Sequence, residues 1–214
     1  MATISNVNGK KITKIKYKGE IFDTGGGNDW LKELLDKSKS AEALFYGSTS
    51  DRMTVWGNYL TYEILQNALK YNTTSSVTNM RSMFYRCEYL TATTLINTSL
   101  VTNMSYMFSN CYRLATIDIT HMNITSTLNS NYFAYNCYSL TKFIIRNMTT
   151  IPALNSNAFN NCYHFTGTTN AIYNPQGLKD GRIYVPDDKV DELKTATNWS
   201  VYADIIVPLS TLVE

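Results

Sequence analysis

Through the middle of the chain the apolar residues follow neither the helical period of 3.6 nor the strand period of 2 but recur as one short phrase. The phrase reads Asn79-Met-Arg-Ser-Met-Phe-Tyr-Arg-Cys-Glu-Tyr-Leu90, then Asn103-Met-Ser-Tyr-Met-Phe-Ser-Asn-Cys-Tyr-Arg-Leu114. It returns as Leu128-Asn-Ser-Asn-Tyr-Phe-Ala-Tyr-Asn-Cys-Tyr-Ser-Leu140 and Leu154-Asn-Ser-Asn-Ala-Phe-Asn-Asn-Cys-Tyr-His-Phe165. Its cysteines, Cys87, Cys111, Cys137 and Cys162, fall 24, 26 and 25 residues apart. A period of that length predicts stacked coils, a solenoid. A single coil cannot enclose its own apolar side chains, so each recurring Phe, Cys and Leu is expected in a core shared with the next coil. After the Leu comes a β-type run, Thr116-Ile-Asp-Ile119 and Phe143-Ile-Ile145, with a weaker one at Thr94-Leu-Ile96. These runs predict short parallel strands, one per coil, about 4.8 Å apart. Four coils make a spine on the order of 15 to 20 Å long, which needs a cap at each end.

The flanks differ in pattern. Residues 3 to 23 alternate around Asn8-Gly9 and Lys18-Gly19, with Ile12, Ile15, Tyr17, Ile21 and Phe22 as apolar members, and predict a small β meander. Gly25-Gly26-Gly27 then reads as a hinge. A phosphate loop would need a Gly-Lys-Ser/Thr ending, which is missing. Asn28 or Asp29 can cap a helix through Trp30, Leu31, Leu34 and Leu35, and a second helical stretch covers about 59 to 71. Beyond the repeats, Asn174-Pro-Gln-Gly177 reads as a turn and Arg182-Ile-Tyr-Val185 as a strand. Pro186-Asp-Asp188 starts a helix carrying Val190, Leu193 and Ala196 inward, and Trp199, Tyr202 and Ile205-Ile-Val207-Pro208 complete a terminal unit. The expected organisation is a β meander with glycine hinge over 1–27, serving as an attachment segment, and a helical N-terminal cap over 28–76. The repeats then occupy 77–170 and a β-α-β type C-terminal cap 171–214.

Composition narrows the possible roles. A hydrophobic share of 44% supplies a core, and a net charge of +2 is too small to point to nucleic acid. Eight lysines lie before residue 40, whereas the repeats are rich in Asn, Ser, Thr and Tyr. Such a neutral, aromatic surface suits sugars or proteins better than phosphates. Met1 to Asn8 has neither the basic start nor the apolar segment of a signal peptide, and no run of 18 apolar residues occurs. Taken as it stands, the chain is expected to remain unexported, without membrane insertion and with its thiols reduced. Asn-x-Ser/Thr sequons such as Asn97 and Asn147 then follow from Asn and Thr richness alone.

Val77-Thr-Asn-Met80-x-x-Met83-Phe84-x-x-Cys87-x-x-Leu90, repeated from Val101, resembles the BspA-like leucine-rich repeats of bacterial surface proteins. The later coils depart from it, with Leu128 and Leu154 in place of the leading Met and one extra residue before the Phe. That form resembles the Ala-Phe-x-x-Cys variant of the same family. Ile183-Tyr-Val-Pro-Asp-Asp188 through Asn198-Trp-Ser-x-Tyr-Ala203 is similar to the segment that often follows these repeats in gut bacteria and their phages. The resemblance spans residues 72 to about 210 and implies an α/β leucine-rich-repeat-like solenoid, a non-enzymatic scaffold for adhesion or attachment. The front piece, Lys11 to Asp23, looks like the leading segment of some phage tail or fibre proteins. An adhesive scaffold without an export signal points to a bacteriophage virion component, in the tail, fibre or capsid shell. The alternative is a bacterial cell-surface adhesin. Expected partners are other virion or surface proteins, further copies of this chain, and a host surface glycan or protein.

Candidate chemistry is sparse. A linear ladder of thiols spreads its ligands along an axis, whereas zinc needs four converging on one point, so the cysteines read as core, without metal or cofactor. Met80, Met83, Met104 and Met107 recur at buried positions and read as core filling. The histidines are His121 and His164, and the carboxylates of the repeats are Glu88 and Asp118, too few for paired acid and base catalysis. Asp118, between Ile117 and Ile119, is expected to point away from the core as a solvated or hydrogen-bonded carboxylate. The outward binding candidates are Tyr112, Tyr138 and Tyr163, directly after the cysteines, and Asn110, Asn136 and Asn161, directly before them. Aligned in rows, the rings could hold a sugar face or a protein while the amides read polar groups. Equally, the rings could pack on each other and the amides serve the turns.

Overall fold

The computed structural model describes residues 77–93, 96–122 and 128–213, and the backbone of four short strands near the amino terminus. These are β1 (Asn6–Val7), β2 (Lys10–Lys11), β3 (Lys14–Tyr17) and β4 (Glu20–Asp23). β1 pairs antiparallel with β2 and β3 with β4. Among the described residues the expected meander therefore takes the form of two separate two-stranded pairs. The glycine hinge at 25–27 and both helices expected in 28–76 lie outside the described residues.

One parallel sheet organises the rest. It runs β5 (Ile96–Asn97), β6 (Thr116–His121), β7 (Lys142–Ile145), β8 (Arg182–Val185) and β9 (Ile206–Pro208), each bonded to the next in sequence. The helices are short, α1 (Tyr163–Thr166) and α2 (Val190–Thr195), and the fold is α/β. Alternation sends Ile117 and Ile119, Phe143 and Ile145, and Ile183 and Val185 to one face, where all six are fully buried. The weak run at 94–96 contributes only its last residue, because Thr94 and Leu95 lie outside the described residues.

Opposite the strands, each repeat is a chain of tight turns rather than a helix. Backbone N–H groups alternate in what they bond. Ser82, Phe84 and Arg86 donate to Ser105, Met107 and Ser109 of the next repeat at 2.8–2.9 Å, while Met83, Tyr85 and Cys87 donate within their own repeat to Met80, Ser82 and Phe84. The alternation gives every one of these amides a partner although the segment is neither helix nor sheet. The same alternation recurs one repeat later, from Tyr106, Phe108 and Asn110 to Asn131, Phe133 and Tyr135.

Those bonds set the register, which corrects the sequence alignment of the third repeat. Asn79, Asn103 and Asn129 bridge in parallel, so Ser130, not Leu128, stands where Met80 and Met104 stand. Ser130 is fully buried, and its hydroxyl bonds Asn155 Oδ1 at 2.9 Å and accepts the Asn155 N–H at 2.9 Å. The next two residues change as well. Ala134 takes the place of Phe84 and Phe108, and Phe133 the place of Met83 and Met107, as the Phe108 N–H to Phe133 carbonyl bond requires. Phe84 and Phe108 therefore stack with ring planes 1° apart, while Phe133 meets Phe108 edge-on at 87°. The aromatic ring moves back one position and a small Ala stands where it was.

All four cysteines are fully buried and none forms a disulfide, as their place in the phrase predicts. The structure supplies a reason for the residue type. The Phe84 carbonyl accepts the Cys87 N–H at 3.1 Å and the Cys111 thiol at 3.0 Å. Phe108 does the same for the Cys111 N–H and Cys137 thiol, and Ala134 for the Cys137 N–H and Cys162 thiol. A thiol is small and apolar enough for the core, yet it donates weakly to the carbonyl's second lone pair. Burial pushes the thiols of Cys87, Cys137 and Cys162 well above their ordinary range.

The terminal unit has the element order read from the sequence, except that the helix ends at Thr195 and Ala196 is half-buried just beyond it. β8 leads into α2, whose Val190 and Leu193 are buried, and Trp199 is fully enclosed. The Trp199 indole donates to the Pro152 carbonyl at 2.7 Å and the Asn198 amide to the Leu154 carbonyl at 2.6 Å, fastening this unit to the last repeat. Between them, Asn174 is 3% exposed and organises its turn, donating to the carbonyls of Tyr163, Thr168 and Leu178.

Candidate functional site

The turn side of the repeats gathers the candidates. Each cysteine's neighbours face outward because the cysteine itself faces inward, so equivalent residues of adjacent repeats align in columns. Tyr112 and Tyr138 stack with centroids 5.1 Å apart, and Tyr138 and Tyr163 at 5.2 Å, both with planes 18° apart. Both faces of the Tyr138 ring are thus occupied, and Tyr173 from the following turn leans on it at 4.7 Å. Burial raises the phenols of Tyr112 and Tyr138 above their ordinary range. At the middle of the row Tyr138 presents its ring edge and hydroxyl rather than an open face.

The asparagines form the adjoining column. Asn136 Nδ2 donates to Asn110 Oδ1 at 2.7 Å, and Asn161 Nδ2 donates to Asn136 Oδ1 at 2.8 Å. Their φ angles of 64°, 59° and 62° are left-handed, a conformation that Asn tolerates best among residues with a side chain. In the first repeat Arg86 holds the same conformation, φ 59°, without that tolerance, at a cost of about 1–3 kcal/mol.

A second aromatic column went unnoticed in the sequence. Tyr106 and Tyr132 stack at 5.1 Å, and Tyr135 meets Tyr132 edge-on. The signal was available, since each of the pair stands five residues before a cysteine. Arginines lie over tyrosine rings across repeats, one on this column and one on Tyr89 outside both columns. Arg81 lies over the Tyr106 ring, 5.5 Å from its centroid, and Arg113 over Tyr89 at 5.3 Å. These contacts cross from one repeat to the next, so only the fold reveals them.

Of the two expected forms, Asp118 takes the hydrogen-bonded one. It leaves the core face of β6 but is only 6% exposed, and Arg146 closes over it with Nε at 3.0 and 3.1 Å and Nη2 at 2.8 Å. A buried carboxylate with a bidentate arginine is a satisfied structural pair. His164 Nδ1 lies 2.7 Å from Asp180 Oδ1. Among the described residues no group of three His, Cys, Asp or Glu side chains converges as metal ligands would.

Among the described residues no helix is long and apolar enough to cross a membrane. A family model described as "Mycoplasma protein of unknown function, DUF285" matches residues 55–172, just over half of the chain. No curated protein matches it.

Proposed function

Because the chain belongs to the DUF285 family, we propose that it is a non-enzymatic binding scaffold. In this reading the repeats form a leucine-rich-repeat-like solenoid of the BspA-like kind, closed at both ends, whose turn side meets a partner. The observation that carries it is the outward tyrosine and asparagine columns, held rigid by stacking and by amide-to-amide bonds. Rigid tyrosines offer contact area at small entropic cost. The scarcity of carboxylates on the repeats supports a role without catalysis.

Two settings suit such a scaffold, a bacteriophage virion and a bacterial cell surface. The family's description, which names a bacterial genus, favours the second. Partners in either setting are neighbouring surface or virion proteins, further copies of the chain, and a host surface molecule. Labelled full-length protein applied to whole bacterial cells tests the binding role. Tyr112→Ala/Tyr138→Ala/Tyr163→Ala should retain its circular dichroism spectrum and lose at least tenfold in attachment. Undiminished attachment would leave the row with packing alone. Immunogold labelling of phage particles and of cells separates the two settings.

A further inference from the structure

The turn side is not uniform along the stack. Its first two repeats carry Arg81, Arg86 and Arg113, whereas the corresponding places in later repeats hold Asn131, Asn136 and Ser139. We infer that this arginine–tyrosine end is a carboxylate-reading site for an acidic, extended segment of a partner protein. The inference rests on the proposed binding role and gives it a chemistry.

Among the described residues no ion pair forms on Arg81, Arg86 or Arg113. The carboxylates of the repeats are Glu88 and Asp118, and Asp118 is bonded by Arg146. The other ion pairs between described residues are in or beside the terminal unit, at His164–Asp180, Lys179–Asp204 and Lys189–Glu192. Apart from Asp118, the repeats therefore set one carboxylate, Glu88, against these three guanidinium groups. In the register of the backbone bonds Arg86 stands at the place of Asn110 and Glu88 at that of Tyr112. Arg81 and Arg113 are exposed and rest on tyrosine rings. A ring beneath a guanidinium fixes its plane and leaves its N–H edges outward, the geometry that takes a carboxylate through two bonds. Arg86 also keeps a left-handed backbone that its neighbours assign to Asn, so its side chain is retained against a local cost.

A peptide fits better than a sugar. Stacking on a sugar requires a free ring face. Here Tyr138 has both faces covered, Tyr106 is flanked by Arg81 and Tyr132, and one face of Tyr89 is taken by Arg113. The arginine end adds guanidinium donors to tyrosine hydroxyls and ring edges, which suit carboxylates and peptide carbonyls.

Fluorescence anisotropy of labelled poly-L-glutamate with the full-length chain tests this. Arg86→Asn/Arg113→Ser installs the residues of the neighbouring repeats and so preserves the fold. The intact chain should bind, with affinity falling as salt rises, and the double variant should bind at least tenfold more weakly at a melting temperature no lower than that of the intact chain. Lys14→Ala/Lys16→Ala, which removes equal charge elsewhere, should bind nearly as the intact chain does. Absence of binding, or equal losses in the two variants, overturns the inference. Equally tight binding of alginate, a uronate polymer, overturns the choice of peptide. Low-salt oligomers that dissociate on the arginine substitutions would make a second copy the occupant instead. A chain that attaches to cells yet ignores poly-L-glutamate sinks this inference alone and leaves the scaffold reading standing.

Discussion

In the repeats one pattern of bonds to the neighbouring repeat recurs about one period along the chain, whereas the terminal unit holds itself with particular side chains that occur once. The Cys111 thiol, the Asn136 amide and the Phe84 N–H each reach about one period along the chain. Trp199, Asn198 and Asn174 each make bonds with no counterpart elsewhere in the described residues. Charge separates the regions too. Residues 77–170 carry five Lys and Arg against two carboxylates, and 171–214 four against seven. A repeat can spread only what its neighbours tolerate, and a row of identical charges would repel itself at about 5 Å spacing. Neutral amides and rings stack without that penalty, while the terminal unit is free to use ions. Its Lys179–Asp204 pair, on an Asp 61% exposed, contributes at most about 1 kcal/mol.

The comparison breaks most visibly with a charge in the shared core. Cys111→Asp places an unpaired carboxylate among fully buried neighbours and should cost about 4 kcal/mol or more, unfolding adjacent coils together. Trp199→Ala should cost about 3–5 kcal/mol, with loss confined first to the terminal unit. Thermal melts followed by hydrogen exchange resolve the two. Exchange that rises only around residue 111 in the first variant would refute the shared core.

Alkali should act on the repeats before the terminal unit. A thiol whose folded pKa is raised above its ordinary 9.0 keeps its full contribution below that value. Above it the unfolded state ionises first, so stability declines by up to about 1.4 kcal/mol per thiol for each further pH unit. The Tyr202 phenol, pushed up to about 12 by burial, joins above its ordinary 10.0. Urea titrations at pH 8 and pH 10 measure the slope, and Cys137→Ala should flatten it. A thiol reagent should find the four cysteines inert at pH 8 until the chain unfolds.

The smallest effect sharpens the asparagine column. Arg86→Asn relieves the left-handed strain and offers a fourth amide to Asn110, and should stabilise by about 1 kcal/mol. Asn136→Ala, which removes two bonds and the tolerant residue, should destabilise by about as much or slightly more. A gain from Arg86→Asn accompanied by weaker poly-L-glutamate binding would show stability yielded for recognition at that position.

Recurrence made the core legible before any coordinates. The buried Phe, Cys, Leu and Met positions, the strands after Leu114 and Leu140 and the order of the terminal unit all follow from one chain's own repetition and from periodicity. Recurrence also misled in the third repeat. Matching letters put Leu128 opposite Met80, whereas backbone hydrogen bonds put Ser130 there, because register is set by amide pairing and not by similarity of side chains. The tyrosine and asparagine columns could be written down from their spacing to the cysteines. Which faces they leave open could not.

Amino-acid order alone therefore determined what is inside and how often it returns, since one coil's apolar surface has nowhere to go except against the next. Tertiary structure decided what lies outside. Whether a ring is covered by another ring or by a guanidinium, and whether Asp118 meets water or Arg146, depends on neighbours more than 20 residues away in sequence. Those distances collapse to a few ångströms only when the coils stack.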